Sequence, residues 1–296
     1  SSASSSASSA SARLHLVKAK GDDPALLEWA NFSSWTHFWH KAFLGCVVLA
    51  ILYFAFARLA LVLAFEQTNA SPVWPPSGLA LAALLLFGRR LWPGVAAGAF
   101  LANLVVFLEN PQGSLTSIVA VSAAMALGNT LEAGVGYHLL RRWLGERPIF
   151  DRLPDVFTFC GVALLGCAVA ASVGAAALGL GGVIGWDLAG RVWFTWWLGD
   201  VTGMLVLTPL LVSWWPSLMP RAPGFRHVME RGLLQIAVLH AAGFSFLGWL
   251  HGESANYPMA YLPLPFLCWV AFRCGPRDNS LAVLLTAVLA TWGTVT

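Results

Sequence analysis

The chain has 296 residues, of which 58% are hydrophobic and only 10% are charged, and its mean hydropathy is +0.70. Soluble domains carry about a quarter charged residues, so this composition excludes an ordinary soluble fold. The alternation of apolar and polar residues that is typical of outer-membrane barrel strands is missing as well. The sequence therefore predicts an all-α fold, a polytopic bundle of transmembrane helices.

Residues 1–41 differ in composition from the rest of the chain. Residues 1–12 (SSASSSASSASA) are a Ser/Ala low-complexity stretch that we expect to be disordered. We expect residues 1–41 to form a cytoplasmic tail and arm, and residues 42–296 to form the integral membrane domain.

Nine apolar segments follow the tail, and a count of eight to ten spans fits the sequence. The segments cover residues 42–65, 74–88, 91–108, 114–140, 155–180, 189–213, 232–250, 257–272 and 279–296.

The positions of the basic residues support this count. With a cytoplasmic N terminus, all but Arg58 and Arg191 of the 17 Lys and Arg residues fall on the cytoplasmic side, as expected for a multi-pass membrane protein. Nine spans would leave Thr296 outside, so a cytoplasmic output domain would need a further helix. We therefore expect the chain to be a piece of a longer protein.

The second segment is unusually short. From Trp74 to Gly88 it is about 22 Å long as a helix, whereas the hydrocarbon core is about 30 Å thick. The basic pair Arg89–Arg90 should hold its inner end at the interface. The proline-rich outer end should then lie several ångströms below the outer surface.

Such a buried helix start offers unpaired N–H groups and a partial positive charge. We expect Trp74, Pro75 and Ser77 to lie at a recess open to the outside, with Trp74 as its wall. The alternative is a tight loop that places Trp74 in the interfacial aromatic belt.

Residues 73–102 and 261–290 share an order of parts: a proline-rich start, a short apolar helix, a turn with Gly and Arg, and a longer helix. Paired short, proline-interrupted segments in two halves of a membrane protein indicate a binding site. Chance similarity between apolar stretches is the alternative.

Charged and polar residues inside spans are costly and usually paired or functional. Arg58 and Asp200 lie at similar depths, which predicts an ion pair between them. Glu132 shares a helix face with Asn129, and Asn103 is a candidate cross-helix partner for both. These groups either fix the packing or form a bistable polar core whose partners exchange when a ligand binds.

No sequence motif typical of an enzyme is found, and we expect no catalytic activity and no metal site. The five cysteines form no C-x-x-C pair and are interpreted as free thiols. His240 alone lies clearly within the membrane, which disfavours bis-histidine haem ligation. A quinone or another aromatic small molecule stays an alternative ligand, and the cofactor is unknown.

Several stretches together resemble the membrane-associated sensor domains of the MASE family, type one. They are SPVWPPSGLALAALLLFGRRLWPGVAAGAFLANL, GNTLEAGVGYHLLRR, FDRLPDVFTF, FTWWLGDVTGMLVLTPLL and LPLPFLCWVAFRCGPR. The resemblance covers residues 42–296 and implies a bacterial inner-membrane sensory module preceding a histidine kinase, a diguanylate cyclase or a related output domain. It marks Trp74, Pro75, Ser77, Asn103, Asn129, Glu132 and Asp200 as the positions of interest.

Two other functions stay open from the sequence: an accessory subunit of a larger membrane complex, and a small-solute carrier. The expected partners are the lipid bilayer, a small molecule, and membrane proteins or a second copy of the chain. We expect no nucleic acid partner.

Overall fold

The computed structural model describes residues 24–62, 73–110, 113–215, 225–247 and 259–295. These residues contain nine α-helices, two short 3₁₀ turns and no β-strand, which confirms the all-α fold. The tail expected to be disordered, residues 1–12, lies outside the described residues.

The helices are numbered in chain order. They are α1 (Pro24–Val62), α2 (Pro75–Phe87), α3 (Trp92–Glu109), α4 (Leu115–Leu144), α5 (Leu153–Leu180), α6 (Trp186–Trp214), α7 (Phe225–Phe246), α8 (Pro263–Arg273) and α9 (Pro276–Val295). The chain divides into two units between Gly45 and Cys46. Apart from the start of the apolar part of α1, everything below concerns residues 46–296.

Five of the described helices are long and apolar enough to cross a membrane: the Ala42–Val62 part of α1, the segment Arg89–Glu109 that contains α3, and α4, α5 and α6. In the most apolar stretch of each of these helices, between 22% and 44% of the residues are buried. Most of the residues in each stretch are therefore left to face lipid. Each of the nine apolar segments expected from the sequence overlaps one of the nine described helices, α1 to α9. The total number of membrane spans stays a prediction.

Helix α2 is the most deeply buried helix of the unit. Ten of its 13 residues, from Pro76 to Leu85, are buried, and the helix contributes side chains to both large apolar clusters of the core. Its sequence is apolar on every face, as expected for a helix surrounded by protein. It packs against α4 and α6.

The amino end of α2 lies directly on the backbone of α6. The Trp74 N–H donates to the Gly199 carbonyl oxygen over 2.9 Å. A Cβ atom at Gly203 would overlap the Trp74 carbonyl, and one at Gly78 would overlap the Gly203 carbonyl. Small residues allow this close approach between membrane helices.

The connections define two ends of the bundle. One end, called the cavity end below, carries residues 110, 113 and 114 and the connection 181–185. The other, called the arginine end, carries the turn Arg89–Leu91 and the connection 145–152. Helices α1 and α3 run parallel, because Gly94 contacts Cys46 and Gly98 contacts Ala50.

The order of parts expected at residues 261–290 is confirmed. Helix α8 has 11 residues and begins at a proline, like α2, and α9 follows it. Both pairs turn at a glycine with positive φ, 92° at Gly88 and 84° at Gly275. The two short helices differ in burial, since only Pro263 and Val270 of α8 are buried.

We predict that Gly203→Ala destabilises the protein by about 1–3 kcal/mol, because the added methyl group forces α2 away from α6. The measurement is thermal unfolding of the protein in detergent micelles. Gly134→Ala is the matched control, since a Cβ atom there meets no other atom within 4 Å. A Gly203→Ala protein as stable as the control would contradict the close contact.

Candidate functional site

A hydrogen bond between buried side chains joins α2 to α6. The Ser77 hydroxyl donates to Asp200 Oδ1 over 2.8 Å. The two residues are 3% and 6% exposed, so this bond is shielded from solvent. Ser77 lies in the first turn of α2, and its hydrogen bond therefore helps to fix the position of that helix end.

Glu132 of α4 lies beside this pair and is 1% exposed. The Cys167 thiol donates to its Oε1 over 3.6 Å. Its other oxygen, Oε2, is buried with no hydrogen-bond partner among the described residues. The Asp200 carboxyl is close enough to Glu132 to interact with it electrostatically.

Tyr53 of α1 completes this group. The residue is 1% exposed, and its phenol interacts electrostatically with Glu132 and Asp200. We call Tyr53, Ser77, Glu132, Cys167 and Asp200 the carboxyl cluster. Five helices, α1, α2, α4, α5 and α6, each supply one of its members.

A cavity of about 480 Å³ opens next to the carboxyl cluster, at the cavity end. Its polar walls are formed by Asn103, Asn110, Asn129, Arg191 and Asp200, and its aromatic walls by Trp74, Phe107 and Trp196. This volume is typical of small-molecule sites in proteins. Asp200 belongs to both the cavity wall and the carboxyl cluster.

The structure brings most of the predicted site residues together. Trp74, Asn103, Asn129 and Asp200 line the cavity. Ser77 and Glu132 lie behind that wall in the carboxyl cluster, and Pro75 begins α2 immediately after Trp74. Sequence reasoning missed Tyr53 and Cys167, because a lone Tyr or Cys in an apolar segment has no distinguishing pattern.

The predicted ion pair between Arg58 and Asp200 is wrong. Arg58 Nη1 lies 2.7 Å from Glu109 Oε2, and the two side chains are 39% and 49% exposed. Because α1 and α3 run parallel, Arg58 reaches the last turn of α3. Similar depth in the membrane did not reveal which helix Arg58 faces.

The predicted cross-helix hydrogen bond of Asn103 is also wrong. Its Nδ2 donates to the Ala99 carbonyl oxygen, one turn earlier in α3, over 2.8 Å. Asn103 and Asn129 are brought together as wall residues of the cavity.

The carboxyl end of α2 is held by α4. Arg141 Nη2 donates to the Leu85 carbonyl oxygen over 2.7 Å, and Arg141 Nη1 lies 2.7 Å from Glu146 Oε2. A basic residue suits a helix carboxyl end, where carbonyl groups lack partners within the helix. Helix α2 is thus tied to α6 at one end and to α4 at the other.

The MASE1 family model matches residues 44–296. The chain belongs to the MASE1 family. This match confirms the resemblance over residues 44–296 and identifies a membrane-associated sensor domain. The probable diguanylate cyclase DgcE of Escherichia coli (strain K12) is 29% identical over 257 residues, which cover 83% of this chain. The match spans 21% of that relative's length, and no solved structure matches the chain significantly.

We predict that Arg58→Gln and Glu109→Gln are coupled in a double-mutant cycle by about 1 kcal/mol, since each removes one partner of the same ion pair. The measurement is unfolding of the protein in mixed micelles. The matched cycle of Arg58→Gln with Asp200→Asn should be additive within about 0.3 kcal/mol. Coupling between Arg58→Gln and Asp200→Asn, with additivity between Arg58→Gln and Glu109→Gln, would instead support the ion pair predicted from the sequence.

Proposed function

We propose that the chain is the sensory membrane module of a longer signalling protein. It detects an extracytoplasmic or membrane-borne cue and relays it to a cytoplasmic kinase or cyclase domain. The observation that carries this proposal is the cavity beside Asp200. It offers a site of small-molecule size directly against the hydrogen bond that positions α2.

The orientation that we propose rests on the charges at the two ends. Arg89, Arg90, Arg141 and Arg142 gather at the arginine end, which the preference of Lys and Arg for cytoplasmic loops assigns to the cytoplasm. The N terminus is then cytoplasmic and the cavity end faces the periplasm. A ligand would reach Asp200 from outside or from the outer leaflet.

Helix α2 is suited to carry the signal. A ligand that hydrogen-bonds to Asp200 competes with the Ser77 hydroxyl and weakens the attachment of α2 to α6. Because Arg141 holds the Leu85 carbonyl at the opposite end, a shift of α2 reaches the cytoplasmic end of α4. The ligand moves the equilibrium only by its difference in affinity for the two positions of α2.

The likeness to a probable diguanylate cyclase supports a cyclic di-GMP output. Since the match spans 21% of that relative, an output domain has ample room outside the matched region. In this proposal the module itself catalyses no reaction. It binds the cue and transmits a conformational change to the output domain.

The test is a chimera in which this chain replaces the matched segment of the relative, with cellular cyclic di-GMP as the readout. Ser77→Ala removes the donor and Asp200→Asn removes the acceptor's charge. Both variants should therefore shift the output severalfold in the same direction. Thr130→Ala is the control, because among the described residues its hydroxyl donates to the Ala126 carbonyl oxygen, one turn earlier in α4.

Membrane levels measured by immunoblotting separate signalling from loss of protein. If both variants reach the membrane at normal levels and leave cyclic di-GMP unchanged, the proposed relay is wrong. An equal effect of Thr130→Ala would contradict the specific role of the Ser77–Asp200 bond.

A further inference from the structure

We propose that the cavity binds an organic cation: a protonated amine on an apolar, preferably aromatic body, with its ammonium group against Asp200. This inference rests on the proposed function, because it names the ligand class of the same site.

The charge balance of the unit is the first argument. Within the described residues, five ion pairs take up the carboxylates of Glu109, Glu146, Asp155, Glu230 and Asp278. Glu132 and Asp200, both more than nine-tenths buried, have no basic partner among these residues.

Two neighbouring carboxyl groups in a low-dielectric interior repel one another when both are ionised, and a buried charge without a counter-charge is strongly unfavourable. A cation beside Asp200 relieves this cost, whereas an anion increases it. Glu132 lies behind the cavity wall, and its Oε2 is buried with no hydrogen-bond partner among the described residues, so when ionised it adds negative charge to the same region.

The cavity wall supplies the remaining features of an amine site. Trp74, Trp196 and Phe107 line it, and a cation close to an aromatic face is attracted by the ring quadrupole. The side-chain oxygens of Asn103 and Asn129 are further acceptors for an ammonium group. The apolar walls, which include Val106, suit a hydrocarbon body.

Arg191 also lines the cavity and carries the opposite charge. It is exposed and lies nine residues before Asp200 on α6, which separates the two backbone positions by about 13 Å along the helix. An ammonium group at Asp200 therefore lies at the deep end of the cavity, away from the Arg191 backbone.

The experiment measures the thermal stability of the whole chain in lipid nanodiscs with three probes of one shape: phenethylamine, phenethyl alcohol and 3-phenylpropionate. Ligands that bind the folded state raise its melting temperature in a saturable manner. We expect a saturable rise with phenethylamine at millimolar concentrations. The alcohol and the carboxylate should give none.

Asp200→Asn should weaken phenethylamine binding at least tenfold, because it removes the buried charge that the ammonium group contacts. Glu109→Gln is the matched control. It removes a carboxylate at the same end of the bundle that is bound to Arg58, and it should change the binding less than twofold.

The melting temperatures of the wild-type chain with the three probes test the inference even if Asp200→Asn does not fold. Absence of a shift with phenethylamine, or an equal shift with the alcohol, would overturn the cation site. So would full affinity in a folded Asp200→Asn protein. These results concern binding alone, so a failed amine measurement still allows the chimera to show a relay that responds to a different ligand. Conversely, a chimera whose variants leave cyclic di-GMP unchanged does not affect the result of the amine measurement.

Discussion

The contact between the amino end of α2 and the backbone of α6 fixes the position of the most buried helix and shapes the polar site beside it. Two prolines remove two N–H groups from the start of α2, and the Gly199 carbonyl accepts the N–H of Trp74. Without these features, a helix start within the membrane would leave costly unpaired donors. The glycines that allow the contact also bring Ser77 to Asp200, so one arrangement satisfies the backbone and builds the polar site.

Apolar packing already surrounds α2, so the carboxyl cluster adds to the attachment of this helix and is not its main source. Polar contacts between membrane helices contribute only about 0.6 kcal/mol on average. Two buried acids without a basic partner in the described residues are therefore better explained by binding than by packing. The cavity against Asp200 provides the space that such a ligand requires.

Much of this arrangement could be predicted from the sequence, because it depends on chain length and local chemistry. The distance from Trp74 to Arg89 is too short for a full span, and the prolines mark where the helix begins. The cost of charge in lipid marked Glu132 and Asp200 as positions of interest, and the proline-rich helix start marked Ser77, but their grouping was not predicted. The predictions that failed were those of the side chains that Arg58 and Asn103 contact. Partner choice depends on which helices are neighbours and on their rotation, and neither depth nor periodicity encodes these.

The most direct test of the account is hydrogen–deuterium exchange of the first turn of α2, residues 77–79, in lipid nanodiscs. Deeply docked backbone amides exchange slowly because their hydrogen bonds must open first. We expect exchange as slow as in the middle of α5 for the wild-type chain. Exchange should become about threefold faster when Ser77→Ala loosens the end of α2 by roughly 0.6 kcal/mol. Rapid exchange of this turn in the wild-type chain, similar to that of the connection 145–152, would contradict the docked helix end.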